Sequence, residues 1–258
     1  MQVWHMNGAG NDFMVLDARG QKLDFPELTK KLCKLTGADG LMAVDESKVA
    51  DLRLHFYNSD GSRGEMCGNG SRCLCAFAYE NGIAGEQMSV QTDAGIIYAN
   101  RLGENRYQVE LNLPSVMDLH RTEDSAYVEL GDPGVPHAVA ELPEINWEAA
   151  DTYREKGVAL RYHPAFPKGA NVNFFSRLDS QRVRVLTYER HVEDFTLACG
   201  TGCASIACVL WTKGMLPDGK LVAENRGGTL TVTIESDGTK IQRLLLEGPV
   251  EVTKIYQL

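Results

Sequence analysis

Several features that mark common protein classes are missing from this sequence of 258 residues. No apolar run approaches the roughly 18 residues that a membrane-spanning helix needs. The first residues lack the basic and apolar regions of a secretory signal. No run of Lys or Arg offsets the net charge of −9, which argues against a nucleic-acid partner. We therefore expect a protein that binds neither membranes nor nucleic acids.

Motifs for metals, nucleotides and disulfide exchange are missing as well. None of the seven cysteines forms a Cys-x-x-Cys pair, which zinc sites and disulfide oxidoreductases are expected to show. There is no P-loop, and the run Gly-Ala-Gly-Asn-Asp-Phe from Gly8 does not complete a dinucleotide fingerprint. An odd number of cysteines without an export signal favours a reducing compartment. The sequence thus predicts a cytoplasmic protein without a metal site.

A cysteine motif that occurs twice is the main positive feature. Cys67 begins the run Cys-Gly-Asn-Gly, Cys199 begins Cys-Gly-Thr-Gly, and an apolar, helix-like run follows each of them. One such motif is weak evidence, because a buried cysteine at a helix start is common. Two of them, in matching places of the two halves of the chain, indicate a pair of related sites. We hypothesise that they face each other across one cleft.

The start of a helix has a definite chemistry. Its unpaired backbone N–H groups and the helix dipole favour an anion, and neighbouring glycines let that anion approach closely. The same field favours a thiolate over a thiol, and lowering a cysteine pKa from about 8.5 to about 7 takes roughly 2 kcal/mol. Two near-neutral thiols beside one carboxylate suit proton removal from one face of a carbon and proton return to the other.

The distribution of short alternating runs, tight turns and few helices predicts the fold. We expect an α+β protein with two pseudo-symmetric domains, each a curled, mostly antiparallel sheet around a central helix. The first domain is placed at residues 1–114 and the second at 115–247, with the last strand, 248–258, joining the first domain. Three local expectations are a polar boundary from Pro114 to Ser125, a turn from Gly131 to His137, and a helix from Trp147 to Lys156 capped by Asn146.

Several motifs, in order along essentially the whole chain, resemble those of the diaminopimelate epimerases, which are pyridoxal-independent amino-acid epimerases with two cysteines. Such a combination is highly specific for that fold and for a two-thiol mechanism. The motifs are Gly8-Ala9-Gly10-Asn11-Asp12-Phe13, Asn58-Ser59-Asp60-Gly61-Ser62, Glu65-Met66-Cys67-Gly68-Asn69-Gly70, Gly134-Val135-Pro136-His137, Asn171-Val172-Asn173-Phe174, Tyr188-Glu189-Arg190 and Leu197-Ala198-Cys199-Gly200-Thr201-Gly202.

The resemblance implies a role for each matching residue. Cys67 and Cys199 would be the catalytic acid/base pair, and His137 and Glu189 would tune them electrostatically. The remaining residues would bind the substrate: the amides of Gly68, Asn69, Gly200 and Thr201 at the carboxylate of the reacting centre, and Asn11, Asn58, Asn171, Glu189 and Arg190 at the distal end. Two plainer interpretations are a turn-stabilising His137 and a surface ion pair between Glu189 and Arg190.

Three departures from the common pattern of the family concern the substrate. Val135 stands where many members have Asn, His191 where Gly is common, and Phe195 where Glu is common. The expected reaction is the interconversion of LL- and meso-diaminopimelate, a step towards lysine and peptidoglycan precursors. Another amino acid, such as histidine, stays open as the substrate. Two further classes of protein stay open on this scaffold: a catalytically idle amino-acid binding protein, and an isomerase with a single carboxylate base.

The expected ligands follow from the same resemblance. It implies a small amino-acid substrate and no cofactor, because the thiols supply the acid and the base. Neither nucleic acid nor a membrane is expected as a partner. A homodimer is left open, since the sequence does not determine the oligomeric state.

Overall fold

The computed structural model describes residues 1–64 and 67–258. Glu65 and Met66, which the sequence analysis assigned to the first cysteine motif, lie outside the described residues. The chain divides into two compact units. Unit 1 comprises Met1–Glu110 and Glu247–Leu258, and unit 2 comprises Leu111–Leu246.

The first part of the chain contains eight strands and two helices among its described residues. The strands are β1 (Gln2–Gly8), β2 (Asn11–Asp17), β3 (Gly40–Asp45), β4 (Leu52–Asn58), β5 (Arg63–Gly64), β6 (Gln87–Thr92), β7 (Gly95–Gly103) and β8 (Arg106–Leu111), and the helices are α1 (Phe25–Thr36) and α2 (Gly68–Glu80).

The rest of the chain contains ten strands, two α-helices and a 3₁₀ helix. These are β9 (Pro114–Asp118), β10 (Ala126–Gly131), β11 (Gly134–Glu141), the 3₁₀ helix (Trp147–Tyr153), α3 (Arg154–Arg161), β12 (Asn171–Arg177), β13 (Arg182–Glu189), β14 (Asp194–Thr196), α4 (Gly200–Thr212), β15 (Lys220–Asn225), β16 (Gly228–Ser236), β17 (Ile241–Pro249) and β18 (Glu251–Gln257).

The strands of unit 1 surround a buried helix. β1 pairs antiparallel with both β2 and β18, whereas the pairs β2–β3 and β4–β6 are parallel. Ala9 and Gly10 have φ angles of 59° and 95°, so the β1–β2 hairpin turns through two left-handed residues, as the twist of such hairpins favours. Residues 68–78 of α2 are all buried. The first cysteine motif therefore begins a helix that lies in the core of its unit.

Unit 2 has the same plan. Antiparallel pairing joins β9–β10, β10–β11, β12–β13, β13–β14 and β15–β16, whereas β11–β12 and β13–β15 are parallel. α4 is buried from Gly200 to Leu210 apart from Thr201, because almost every side chain of this helix is small or apolar. The predicted α+β class, with a mostly antiparallel sheet and one buried helix in each half, is confirmed.

The residues at the expected boundary include a strand. Pro114–Asp118 is β9, which pairs with β10, and a proline is tolerated there because it is the first residue of the strand. The division into two units falls just before it, between Glu110 and Leu111. The turn between β10 and β11 is shorter than predicted, because β11 already begins at Gly134. His137 lies within this strand. His137 is therefore a strand residue and does not stabilise a turn.

The predicted helix after Asn146 is two helices. Asn146 does cap its start, accepting a hydrogen bond from Glu148 N at 3.0 Å. The first segment is 3₁₀, and Ala149 has non-helical angles. Trp147 Nε1 donates to Val185 O at 2.9 Å, which holds this segment against β13. The α-helix starts only at Arg154.

Besides β9, three strands are not predicted from the sequence pattern. β5 and β14 have two and three residues, too few to show an alternating pattern. β15 does alternate, with Leu221, Ala223 and Asn225 buried, so its pattern was readable.

None of the helices in the described part of the chain combines the length and the apolar character that a membrane span requires.

Candidate active site

In unit 1, Cys67 is the residue that precedes α2. Its backbone is extended, with φ −137° and ψ 118°, and its carbonyl accepts the hydrogen bond of Ser71 N at 2.7 Å. Cys67 is half-buried. The thiol therefore lies at the start of the helix, where the backbone N–H groups of Gly68 and Asn69 are not used by the helix itself.

A chain of hydrogen bonds fixes the two asparagines of this half. Arg72 Nη2 donates to Asn69 Oδ1 at 3.0 Å, and Asn69 Nδ2 donates to Asn11 Oδ1 at 2.6 Å. Asn11 Nδ2 in turn donates to Asp39 Oδ2 at 3.3 Å, and that oxygen also accepts from Asp12 N at 2.9 Å. Each amide thus has its oxygen and nitrogen assigned. The structure brings the side chains of Asn11 and Asn69 together, although the resemblance assigned these residues to different ends of the substrate.

Arg72 was missed by the sequence analysis. It is fully buried in α2, and its Nη1 also donates to Gly68 O at 3.4 Å. Burial raises the pKa of Cys73 and the pKa of Cys75 to about 12, and the charge of Arg72 opposes this shift at both thiols. The signal was readable: Arg72 is the one charged side chain between the first motif and Glu80, within the helix-like run.

Gly8 explains how the hairpin reaches the helix. A Cβ on Gly8 would lie 2.8 Å from Asn69 O and 3.1 Å from Cys73 Sγ, closer than real Cβ atoms come to a backbone oxygen. The absence of a side chain lets the end of β1 pack directly on the first turn of α2. This close approach holds Asn11, the first residue of β2, beside Asn69.

Asn58 lies at the same end of the sheet. It is the last residue of β4 and pairs with Gly40, which in turn pairs with Phe13. Its side chain is exposed and donates to Ser62 Oγ at 3.0 Å. Asn58 and Asn11 therefore lie at the same end of the sheet, on two strands that both pair with β3.

In unit 2, Cys199 has the same position before α4. Its φ and ψ are −128° and 108°, and its Sγ accepts from Gly202 N at 3.4 Å and lies 3.6 Å from Thr201 Oγ1. Unlike Cys67, it is buried. Burial and the nearby Glu189 carboxylate raise the pKa of the Cys199 thiol above its ordinary value, against the smaller opposing effects of Thr201 and Gly202.

The expectation of a near-neutral thiol is therefore not met at Cys199. The helix N-terminus acts in the predicted direction, since the Gly202 amide lowers the pKa. The loss of hydration at the sulfur raises the pKa of Cys199 by more than the hydrogen bond from the Gly202 amide lowers it. The raised pKa favours the protonated thiol at Cys199, so the resting form of this residue is a thiol and not a thiolate.

His137 lies in β11 and is completely buried. Its Nδ1 lies 3.1 Å from Asn173 Nδ2. Burial and the charge of Arg190 lower the pKa of His137 to about 3. The imidazole is therefore neutral, so any influence on a thiol cannot come from an imidazolium charge.

Asn171 and Arg190 are joined at the ends of β12 and β13. Asn171 Oδ1 accepts from Arg190 N at 2.8 Å, and Arg190 Nη1 donates to Lys168 O at 3.1 Å. Burial and the neighbouring Arg161 lower the pKa of Arg190, but a guanidinium stays charged in proteins. Glu189 ends β13, one residue before Arg190.

The three departures from the family pattern all lie in unit 2. His191 has a φ of 72°, the left-handed region that glycine adopts most easily, and this accounts for the glycine common at this position. Phe195, on β14, packs edge-on against Tyr188 at 5.4 Å between ring centroids. Val135, near the start of β11, is exposed.

The described residues do not form a metal centre. Within residues 1–64 and 67–258, no group of three or more His, Cys, Asp and Glu side chains is arranged to hold a metal ion.

Comparison with known proteins places these features in a family. The family model described as diaminopimelate epimerase matches residues 3–115 and 131–253. A protein of Aquifex aeolicus (strain VF5) named diaminopimelate epimerase is 36% identical over 270 residues, which cover 97% of this chain and 95% of that protein. A protein of the same name from Archaeoglobus fulgidus is 32% identical and covers 90% of this chain and 89% of its own length.

Solved structures share the fold. A PhzF-family phenazine biosynthesis protein of Bacillus anthracis has a TM-score of 0.75 at 16% identity and covers 100% of this chain and 98% of its own. A hydroxyproline epimerase of Agrobacterium vitis, solved with trans-4-hydroxy-L-proline, has a TM-score of 0.73 at 18% identity and covers 100% of this chain and 90% of its own.

Proposed function

This chain belongs to the diaminopimelate epimerase family, a family of isomerases, and we propose that it interconverts LL- and meso-diaminopimelate by inverting one α-carbon without a cofactor. One observation carries the mechanism. Each unit has a cysteine at the first residue before a buried helix, with glycine amides beside it. A carboxylate on such amides would hold the adjacent carbon beside a thiol.

The proposed step is a proton exchange at the α-carbon. The Cys67 thiolate takes the α-proton from one face, and the Cys199 thiol gives its own proton to the other face, so that the carbon is inverted. Cys67 then carries a proton and Cys199 is a thiolate, and the reverse reaction exchanges their roles. The buried, protonated state of Cys199 and the greater exposure of Cys67 support this starting assignment.

The amides of Gly68, Asn69, Gly200 and Thr201 are proposed to hold the α-carboxylate. Negative charge moves onto this group as the proton leaves, and fixed N–H donors stabilise it without rearrangement. Asn69 has its side-chain amide fixed by Arg72 and Asn11, which supports a preset geometry in unit 1.

The distal ammonium and carboxylate are proposed to be bound by Asn11, Asn58, Asn171, Glu189 and Arg190. Arg190 would clasp the carboxylate, because a guanidinium offers two parallel donors. Its backbone is held by Asn171 and one of its nitrogens by Lys168 O, which support a fixed position for the remaining donors. Asn171 therefore also sets where the distal carboxylate binds.

A racemase of another amino acid is the second candidate. The observation in its favour is Val135, an exposed apolar side chain at a position where many family members have a polar amide. Val135 cannot hydrogen-bond a distal ammonium or carboxylate. A substrate with a shorter or less polar distal group is compatible with it.

Exchange of the α-proton in deuterated water tests the reaction. We expect the purified protein, without added cofactor, to exchange the α-proton of diaminopimelate faster than those of other amino acids in a panel that includes histidine. Serine substitutions at Cys67 and Cys199 should each lower inversion by about 10²- to 10⁴-fold, the usual contribution of a general acid or base. Circular dichroism would show that both variants are folded. Full inversion in either variant, or no exchange with any amino acid, would reject the proposal.

The distal role of Arg190 has its own test. We expect Arg190→Leu to raise KM for diaminopimelate far more than for an amino acid with a single carboxylate, because only the former loses a charged partner. Arg226→Leu is the matched control, since Arg226 is exposed and also donates to a backbone carbonyl, that of Phe195, at 3.1 Å. Equal loss with both substrates would mean that Arg190 is structural.

We also propose that the protein works in the cytoplasm. Besides Cys67 and Cys199, five of its cysteines are buried free thiols, and a reducing compartment preserves them. Fractionation of cells that express the protein would test this, and recovery outside the cytoplasm would contradict it. A homodimer stays open and is decided by the mass of the protein in solution.

A further inference from the structure

Asn173, on β12, is held in one orientation. Its Nδ2 lies 3.1 Å from Ala138 O and 3.1 Å from Asn171 O, and its Oδ1 accepts from Thr187 Oγ1 at 3.1 Å. A flipped amide would set its oxygen against two carbonyl oxygens, which repel it. The Asn173 nitrogen is therefore fixed on the side of β11, where it also meets His137 Nδ1 at 3.1 Å.

The fixed nitrogen determines the tautomer of the histidine. An amide nitrogen carries two hydrogens and does not accept hydrogen bonds. A proton on His137 Nδ1 would point at the amide hydrogens, so Nδ1 carries only its lone pair and shares the two hydrogens of Asn173 Nδ2 with Ala138 O and Asn171 O. The single ring proton is therefore on Nε2. The ring is neutral, since burial and Arg190 hold the pKa of His137 near 3.

We propose that Asn173 is a positioning residue that fixes His137 as the neutral Nε2–H tautomer, so that the ring offers a hydrogen-bond donor to the bound amino acid. The tautomer stands on the hydrogen bonds alone. Only the identification of the acceptor of the His137 Nε2–H as a bound amino acid rests on the proposed function. This assignment replaces an electrostatic role for His137 with that of a fixed donor.

The Nε2 atom supports a ligand-directed role. It is buried, and it has no hydrogen-bond partner among residues 1–64 and 67–258. Leaving a buried donor without a partner is unfavourable. An anionic group of a bound substrate, or a water held with it, would supply the missing acceptor.

Asn173 also connects the ring to the second cysteine. A Cβ on Gly202 would overlap Asn173 Oδ1, so the amide lies directly against the first turn of α4. The Gly202 N–H donates to Cys199 Sγ at 3.4 Å. One side chain thus sets the histidine tautomer and packs against the residue that binds the thiol.

The groups around His137 keep it neutral. Arg190 acts on the ring directly and, like burial, lowers its pKa. The elements that contact β11 carry other titratable side chains: Asp118 on β9, Tyr127 and Glu129 on β10, Arg177 on β12, and Cys203 and Cys208 on α4, with Cys199 just before that helix. Glu189 ends β13, which pairs with β12. The Glu129 carboxylate accepts hydrogen bonds from Lys168 Nζ at 2.7 Å and from the Tyr127 hydroxyl at 2.6 Å. Its negative charge is therefore compensated by these two partners.

NMR of the full-length protein with ¹⁵N-labelled histidine tests the tautomer without substrate. The six histidines give separate long-range nitrogen–proton patterns, and the pattern lost in His137→Gln identifies His137. We expect the Nε2–H pattern, unchanged from about pH 5 to about pH 9, because the ring does not titrate there. An Nδ1–H pattern, or an imidazolium in that range, would overturn the proposal.

Variants of Asn173 test whether this side chain sets the tautomer. Asn173→Ala should give a mixture of tautomers, and Asn173→Ser serves if the alanine variant does not fold. Asn173→Asp should move the proton to Nδ1 and raise the pKa of His137, because a carboxylate accepts from Nδ1 and stabilises the imidazolium. A new ionisation should then appear in the pH profile of kcat/KM for exchange.

Asn171→Asp is the matched control for the spectrum. It introduces the same charge two residues earlier on β12, where the side chain accepts from Arg190 N. We expect it to keep the Nε2–H pattern of His137. An unaltered pattern in both Asn173→Ala and Asn173→Asp would reject the role of Asn173. Because the spectrum needs no substrate, a failed exchange assay would sink the proposed function and leave this result standing.

Discussion

The two cysteine helices have the same start but opposite surroundings. α2 carries a buried guanidinium, Arg72, five residues after its cysteine, whereas the matching position of α4 is Ala204. Cys199 is instead buried beside the carboxylate of Glu189, which raises its pKa. One motif is thus set near a cation and the other near an anion. In the proposed mechanism one thiol starts as thiolate and the other as thiol, and this asymmetry of charges would favour such a difference before substrate binds.

The glycines three residues after each cysteine, Gly70 and Gly202, also differ in their neighbours. We expect the largest effect of any substitution at Gly202. A Cβ on Gly202 would overlap Asn173 Oδ1, which is locked by Thr187 and by two carbonyl groups. A Cβ on Gly70 would overlap the methyl end of Met42, which has three rotatable bonds and can move aside. The second motif is therefore the less tolerant of the two.

Gly202→Ala should lower kcat by about 100-fold, because a shift near 1 Å in a reacting group costs that much. Gly70→Ala should cost less than about 10-fold, with up to about 1–3 kcal/mol of stability from overpacking in either variant. Inversion kinetics and thermal unfolding would measure both. Equal losses of kcat would show that the two motifs are equally rigid.

The second-largest effect is expected from substitution of Arg72, the buried arginine of α2. Arg72→Met keeps most of the volume but removes the donors to Asn69 Oδ1 and Gly68 O, which should cost about 1–3 kcal/mol of stability. Asn69 and Asn11 would no longer be fixed, so kcat/KM should fall by roughly 10- to 100-fold. Arg72→Lys is the control for charge.

If the charge of Arg72 is what matters, the lysine variant should recover much of the lost kcat/KM. If the fixed amides matter, it should not, because one ammonium cannot replace two guanidinium donors aimed at separate oxygens. Chemical denaturation and kinetics on both variants separate these outcomes. Activity unchanged in Arg72→Met would remove the cation from the account of the asymmetry.

Sequence reasoning reached the fold and the repeated cysteines because both depend on local patterns. The apolar run after Cys199 predicts a buried helix, and the alternation of Leu52, Leu54 and Phe56 predicts β4, which the structure has at Leu52–Asn58. Residues implied by the resemblance, such as Asn11 with Asn69 and Asn171 with Arg190, do meet within their units. Their roles stay predictions.

The electrostatic state of the site was not predictable in this way. A motif shows that Cys199 begins a helix but not that its sulfur loses water, and the loss of water decides the sign of its pKa shift. The tautomer of His137 depends on Asn173, which comes 36 residues later and meets it only through the pairing of β11 with β12. Arg72 was visible as a charge but not as the residue that fixes Asn69.

Glu189 is the anionic residue close to the second cysteine, and its substitution is expected to have the smallest of the predicted effects. Its carboxylate raises the pKa of Cys199, so Glu189→Gln should lower that pKa. Below its pKa a thiol reacts in proportion to its thiolate fraction, which rises as the pKa falls. Alkylation of Cys199, followed by mass spectrometry between about pH 7 and about pH 10, should therefore be roughly 3- to 10-fold faster in the variant.

Asp194→Asn is the matched control for this change. Asp194 is also a carboxylate of unit 2, but it is exposed, pairs with Arg154 at 2.8 Å and is not among the groups that shift the pKa of Cys199. Its neutralisation should leave the alkylation of Cys199 unchanged at every pH. If Asp194→Asn accelerates the reaction as much as Glu189→Gln, access to the sulfur has changed rather than its charge state. If neither variant does so, burial alone keeps Cys199 protonated, and the two helices differ by the cation of α2 only.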